Sequence, residues 1–98
     1  LISSTFLNKI ASFIQSKISK VDYTLNGVNK SASLSSITTT SNTVKLAIML
    51  DENVEGTITQ FKIIDTENEV IKTEDCNLIK SKGRGYYKSF TLSISEVI

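Results

Sequence analysis

Hydrophobic residues recur along this chain with two different periods, and the change from one to the other falls near Ser19–Lys20. Before that point Phe6, Leu7, Ile10, Ala11, Phe13, Ile14 and Ile18 stand three, four and seven apart. At about 100° per residue they occupy one arc of roughly 160°, with Lys17 the only charge inside it. Asn8, Ser12, Gln15, Ser16 and Ser19 take the opposite side. The spacing predicts an amphipathic helix. Ser3, Ser4 and Thr5 all carry hydroxyls that can cap its first amides, and Lys17 and Lys20 favour the negative end of its dipole. The apolar arc has two seats open to it: the open end of its own β-domain, or another chain. One arc divided between the two is physically sound.

From Val21 onward the period is two. Val21, Tyr23 and Leu25 alternate with polar residues, and Asn26-Gly27 marks a hairpin because both residues tolerate positive φ. Val28, Ala32 and Leu34 continue as a weaker return strand, and the Ser/Thr-rich stretch 31–42 reads as an edge strand or a loop. Thr43–Leu50 is the clearest strand. It has Val44, Leu46, Ile48 and Leu50 on one face and Ala47 and Met49 on the other, which predicts cover on both sides.

After a turn at 51–56, Thr57–Asp65 sets Phe61 and Ile63 against Ile58 and Ile64 on opposite faces, and Glu69–Thr73 returns from a turn at Thr66-Glu67-Asn68. Cys76, Leu78 and Ile79 lead into the tip Lys80–Gly85. Tyr86, Phe90, Leu92 and Ile94 then share a last inward face, with Tyr87, Ser89, Thr91 and Ser93 opposite. This pattern of short strands and regular turns predicts a mainly β fold, a small antiparallel β-sandwich or partly closed barrel with one N-terminal amphipathic α-helix. It reads as a single domain over 1–98, with the helix in 1–20 and the β-domain in 21–98.

Composition narrows the function classes. A chain of 98 residues with 40% hydrophobic and 21% charged residues is globular, and a net charge of +1 supplies no field for nucleic acid or an anionic membrane. No apolar run approaches the roughly 18–20 residues of a membrane span, so no membrane insertion is expected. The apolar start is interrupted by polar residues at every turn, unlike a signal peptide. With no histidine, the commonest general base and zinc ligand are missing, and the lone Cys76 has no histidine to activate it. The inventory therefore predicts no enzyme, no metal and no cofactor. Asp51, Glu52 and Glu55, and likewise Glu67, Glu69, Glu74 and Asp75, lack the spacing of a calcium loop and read as solvated turn residues.

One stretch has the chemistry of a ligand loop. Lys80, Lys82, Arg84, Tyr86, Tyr87 and Lys88 set cations and aromatics around two glycines, a combination that can hold phosphate and stack a base or sugar. It reads either as a cell-surface glycan-binding tip or as a solvated hairpin whose lysines blunt an edge.

The N-terminal third resembles small proteins of about a hundred residues from the tail gene clusters of Gram-positive contractile-tailed prophages and phage-tail-like bacteriocins. The matching positions are Phe6, Leu7, Ile10 and Ala11, then Lys17, Ile18, Lys20 and Val21, then Asn26 and Gly27, with Ser95-Glu96-Val97 ending the chain in a similar way. The likeness departs in the stretch 31–42 and in the Lys80–Lys88 tip. It implies a structural or assembly subunit of a phage tail or tailocin particle, near its baseplate, tail fibre or receptor-binding apparatus. Such a subunit would be made in the cytoplasm and released on lysis. The partners it implies are other tail, baseplate or fibre proteins and further copies of itself as a homo-oligomer. The expected docking residues are Phe6, Leu7, Ile10, Phe13, Ile14 and Ile18. The alternative is a carbohydrate-binding β-module using the Lys80–Lys88 loop.

Overall fold

The computed structural model describes residues 2–95. A helix, α1 (Ser4–Lys17), leads into seven strands: β1 (Ile18–Leu25), β2 (Val28–Ala32), β3 (Leu34–Thr40), β4 (Thr43–Leu50), β5 (Gly56–Asp65), β6 (Val70–Lys80) and β7 (Tyr86–Ser93). They form two antiparallel sheets, β2-β1-β5-β6 and β3-β4-β7. The sheets stay separate, so the fold is a sandwich rather than a barrel. The body is long and narrow, 48 × 23 × 21 Å.

Ser3 caps the helix, its hydroxyl accepting from the Phe6 amide at 3.2 Å. The helix ends at Lys17, earlier than the sequence predicts. Ile18 is already extended and opens β1, because the Thr66 amide donates to the Lys17 carbonyl at 2.9 Å and Ile18 pairs with Asp65. Ile18 is therefore a buried strand residue, not part of the helical arc.

Asn26 and Gly27 form the expected two-residue hairpin, both at positive φ. The Ser/Thr-rich stretch is mostly ordered strand. β2 stops at Ala32, and one residue later the chain enters β3 in the other sheet. The segments expected at 69–73 and 76–79 are not separate pieces; from Val70 onward they belong to one long edge strand, β6. It holds two extra residues against β5, since the register advances from Asp75 to Leu78 while β5 moves from Gln60 to Ile58, and slips again between Lys72 and Val70. These bulges, with Lys72, Glu74 and Asp75, mark the edge as one built against pairing with other strands.

The core is a line of side chains between the sheets. Phe61 is fully enclosed and meets Phe90 of the opposite sheet edge-to-face, centroids 5.6 Å apart at 71°, while Tyr23, its cross-strand partner in the same sheet, lies 6.5 Å away. Ile58 joins Phe61 and Ile63 in this core although simple alternation puts it on the opposite face. An extra residue in β5, Thr59, stands against β1 between the pairs Thr24–Gln60 and Leu25–Ile58, and it inverts the alternation. β4 is covered on one side only. Val44, Leu46, Ile48 and Leu50 are buried, and the outer side keeps Ala47 enclosed but leaves Lys45 and Met49 exposed.

Gly56 shows how tightly the two connections at one end are fitted. Its φ is +140°, and a Cβ there would lie 2.4 Å from the Asn26 side-chain nitrogen. The same Asn26 side chain accepts from the Thr57 amide at 2.9 Å. Gly83 also has positive φ, but its surroundings are open. Gly56→Ala is expected to lower unfolding stability by about 2–3 kcal/mol, and Gly83→Ala by about 1 kcal/mol, from backbone strain alone. Urea titration of the two variants measures the difference; equal losses would show that the Asn26 contact is not what makes Gly56 necessary.

Candidate functional site

The basic tip does not form one surface. Lys80 continues the inward alternation of Cys76 and Leu78 and is 3% exposed. Its ammonium donates to the carbonyls of Val54 at 2.9 Å and Ser81 at 2.7 Å, and to that of Arg84. A further link lies beside it, the Gly83 amide donating to the Glu52 carbonyl at 2.8 Å. Lys80 thus fastens the 51–55 and 81–85 connections to each other. An ammonium with three donors and three carbonyl partners has no capacity left for a ligand.

Lys88 is inward too, on the parity of Phe90. It lies over the rings of Phe90 and Phe61, 5.3 and 5.8 Å from their centroids, and pairs with Glu74 of the facing sheet at 3.2 Å. This contact covers the core where it opens between β6 and β7. Tyr86 is half-buried against the core. Only Lys82, Arg84 and Tyr87 remain exposed. The six residues expected to make one loop are divided between structural work and solvent.

The other charged and nucleophilic groups are also in use. Burial raises the Cys76 thiol above its ordinary value, with Glu74 adding to the shift, and the thiol donates to the Ile58 carbonyl at 3.4 Å. Asp65 accepts from the Glu67 and Glu69 amides, and Asp51 from the Asn53 amide, so these carboxylates hold their own turns. Among the described residues no group of His, Cys, Asp or Glu is placed to hold a metal ion, there is no cavity, and no helix is long and apolar enough to cross a membrane.

The helix gives a divided result. It lies against the inward side of β3 and β4 near their hairpin. There Ala11 is completely buried, Ile14 packs on the core, and Gln15 accepts a hydrogen bond from Thr39. Leu7 and Ile10 are half-buried. Phe6 and Phe13 lie at the other edge of the arc and are 55% and 62% exposed, with the Lys17 ammonium 5.4 Å from the Phe13 ring. Seven residues apart, the two rings stand almost directly in line, about 10 Å from each other along the axis. Lys9 and Lys17 are the only charges on this helix.

A second surface is not announced by the pattern of any one strand. The outward positions of β3, β4 and β7 line up in cross-strand rows: Thr40, Thr43 and Ser93; Thr38, Lys45 and Thr91; Ser36, Ala47 and Ser89; then Met49 beside Tyr87. Lys45 is its one charge. The hydroxyls of Ser36, Thr38, Thr40, Ser89, Thr91 and Ser93 are exposed and have no partner among the described residues. Ser89, Thr91 and Ser93 already stand opposite the inward face in the sequence pattern; their pairing with β3 through β4 is what creates the array. At the end of the chain, β7 stops at Ser93, and Glu96 and Val97 of the expected terminal motif lie outside the described residues.

Comparison with known proteins finds no matching family model, no matching curated protein and no matching solved structure.

Two outcomes test this account of the charged groups. Lys80→Met should cost about 2–4 kcal/mol in urea unfolding and speed hydrogen exchange in both 51–55 and 81–85, because three carbonyls lose a charged donor. An unchanged exchange rate at 51–55 would refute the fastening role. Burial alone would raise the Asp22 carboxyl, but hydrogen bonds from Ser31 at 2.7 Å and Asn29 at 3.3 Å, with the Lys20 charge, outweigh it and leave it below its ordinary value. A lowered carboxyl contributes stability that is complete above its unfolded value of about 3.9 and is lost as pH falls through the folded value. Stability should therefore fall with pH in the acid range, less steeply in Asp22→Asn, with denaturant midpoints as the readout.

Proposed function

We propose that this chain is a non-enzymatic assembly subunit of a phage-tail or phage-tail-like particle, with α1 as its docking element. The observation that carries the docking role is the division of the helical arc. Ala11 and Ile14 hold one edge in the protein's own core, while Phe6 and Phe13 present the other edge to solvent. Two aligned aromatic rings on a helix already fixed to a rigid body form a pre-organised anchor, and little ordering entropy remains to be lost on docking. The particle context rests on the resemblance of the N-terminal third.

Charge states what the anchor fits. The helix has Lys9 and Lys17 and no acidic residue. A shallow apolar groove rimmed by carboxylates on another particle protein complements it, whereas a parallel bundle of identical helices brings lysine against lysine. Copies would then follow the symmetry of the scaffold they join. The glycan-binding tip has less support, since Lys80 and Lys88 are both engaged inside the sandwich.

The test uses particles released by lysis of the source cell. The chain should be present in purified particles at fixed stoichiometry by quantitative mass spectrometry. The Phe6→Asp/Phe13→Asp variant should be folded by circular dichroism and depleted at least about tenfold from particles, as the loss of two anchors implies. Full incorporation of the variant overturns the docking role. Absence of the wild-type chain from particles overturns the particle reading.

A further inference from the structure

We infer that the outer face of the β3-β4-β7 sheet is a binding surface for a neutral oligosaccharide, a role independent of the particle reading and of the helix. The first reason is the chemistry of the face. An exposed sheet side is ordinarily rich in charged residues, but here the rows hold hydroxyls, with Lys45 the only charge. Each hydroxyl both donates and accepts, as a sugar hydroxyl does, and it gives up its water at far lower cost than an ammonium or carboxylate.

The second reason is order. Thr38 and Thr91 flank Lys45, and Ser36 and Ser89 flank Ala47, each at a fixed cross-strand position. Hydroxyls therefore recur roughly 6.8 Å apart along β3 and β7 and roughly 9.6 Å apart across the intervening β4, closing to roughly 4.8 Å in the row of Thr40, Thr43 and Ser93. Threonine is stiff at χ1, so binding orders little that is not already ordered. Ala47 is 0% exposed, so the middle row offers a ligand only the hydroxyls of Ser36 and Ser89. At one end of the grid stands Tyr87, 57% exposed, an aromatic face for the C–H side of a sugar ring.

The third reason is size. Eleven positions on such a grid cover roughly 350 Å², less than half of the about 800 Å² per partner that a stable protein–protein interface requires. A few sugar rings fit that area; a folded partner does not. α1 lies against the inward side of the same strands and leaves this face open.

The experiment is an amide chemical-shift titration of the full ¹⁵N-labelled chain with cellohexaose, chitohexaose and mannohexaose, each to about 10 mM, the range where weak glycan binding saturates. At least one of these should give saturable shifts on residues 36–40, 43–49 and 87–93. Tyr87→Ala should weaken it about fivefold, as loss of an aromatic contact implies. Thr38→Lys/Thr91→Lys, which sets three lysines in one row, should abolish it, with unchanged Phe61 and Phe90 signals showing that the core is intact. The inference is overturned if none of the three sugars gives saturable shifts, or if shifts appear elsewhere or survive both variants. Response to polygalacturonate alone at Lys82 and Arg84, or shifts of this face with protein concentration alone, would overturn it equally.

Discussion

Phe61 against Phe90 is the contact that joins the two halves of this protein. Phe61 stands on an inner strand of one sheet and Phe90 on the edge strand β7 of the other, and neither sheet is stable with such a face in water. The edge-to-face geometry fixes both separation and rotation of the sheets at that point. In a body 48 Å long and little more than 20 Å across, one such line of core must be closed at both ends and along both seams. The remaining features of the structure are the means of closure.

Three of these openings are closed by three different devices. α1 covers the inward side of the β3–β4 hairpin end, where Ala11 allows the helix to approach closely. At the opposite end Lys80 binds the two sheet-crossing connections through their carbonyls. Along the β6–β7 seam the alkyl stem and ammonium of Lys88 shield the two phenylalanines, and Glu74 balances the charge. A chain of this size has too little apolar volume to seal every gap with hydrocarbon, and long cationic side chains supply the missing cover. The two lysines resemble a ligand site in the sequence because the same features, a long reach and several donors, serve both purposes.

The fold class was legible because helix and strand periods differ so sharply across Ser19–Lys20. The inward direction of both lysines was legible as well. Lys80 shares the parity of Cys76 and Leu78, and Lys88 that of Tyr86 and Phe90, and position in the alternation outweighs cationic character at both. Ile58 was not legible, since nothing local announces the extra residue Thr59 that turns it inward. Nor was the joining of 69–73 with 76–79 into one strand, because bulges break the period that identifies a strand. The hydroxyl rows depend on which strands neighbour which, β3 and β7 being brought together by β4 across some fifty residues of sequence. A Ser/Thr-rich stretch looks the same whether it is a loose loop or one rank of an ordered array.

The division of the helix also settles how the two proposed surfaces relate. A helix wholly absorbed by its own core would leave no anchor, and a helix wholly free would leave Thr39 without its Gln15 acceptor. Holding one edge and presenting the other avoids both costs, and it places Phe6 and Phe13 on the side of the helix turned away from β3 and β4. The hydroxyl grid lies on the far side of those same strands. A partner seated on the phenylalanines therefore does not cover the grid, and a sugar on the grid does not disturb the helix. Occupancy of one surface should be independent of the other unless the β3–β4 hairpin itself shifts, since that hairpin carries the helix on its inward side and part of the grid on its outward side.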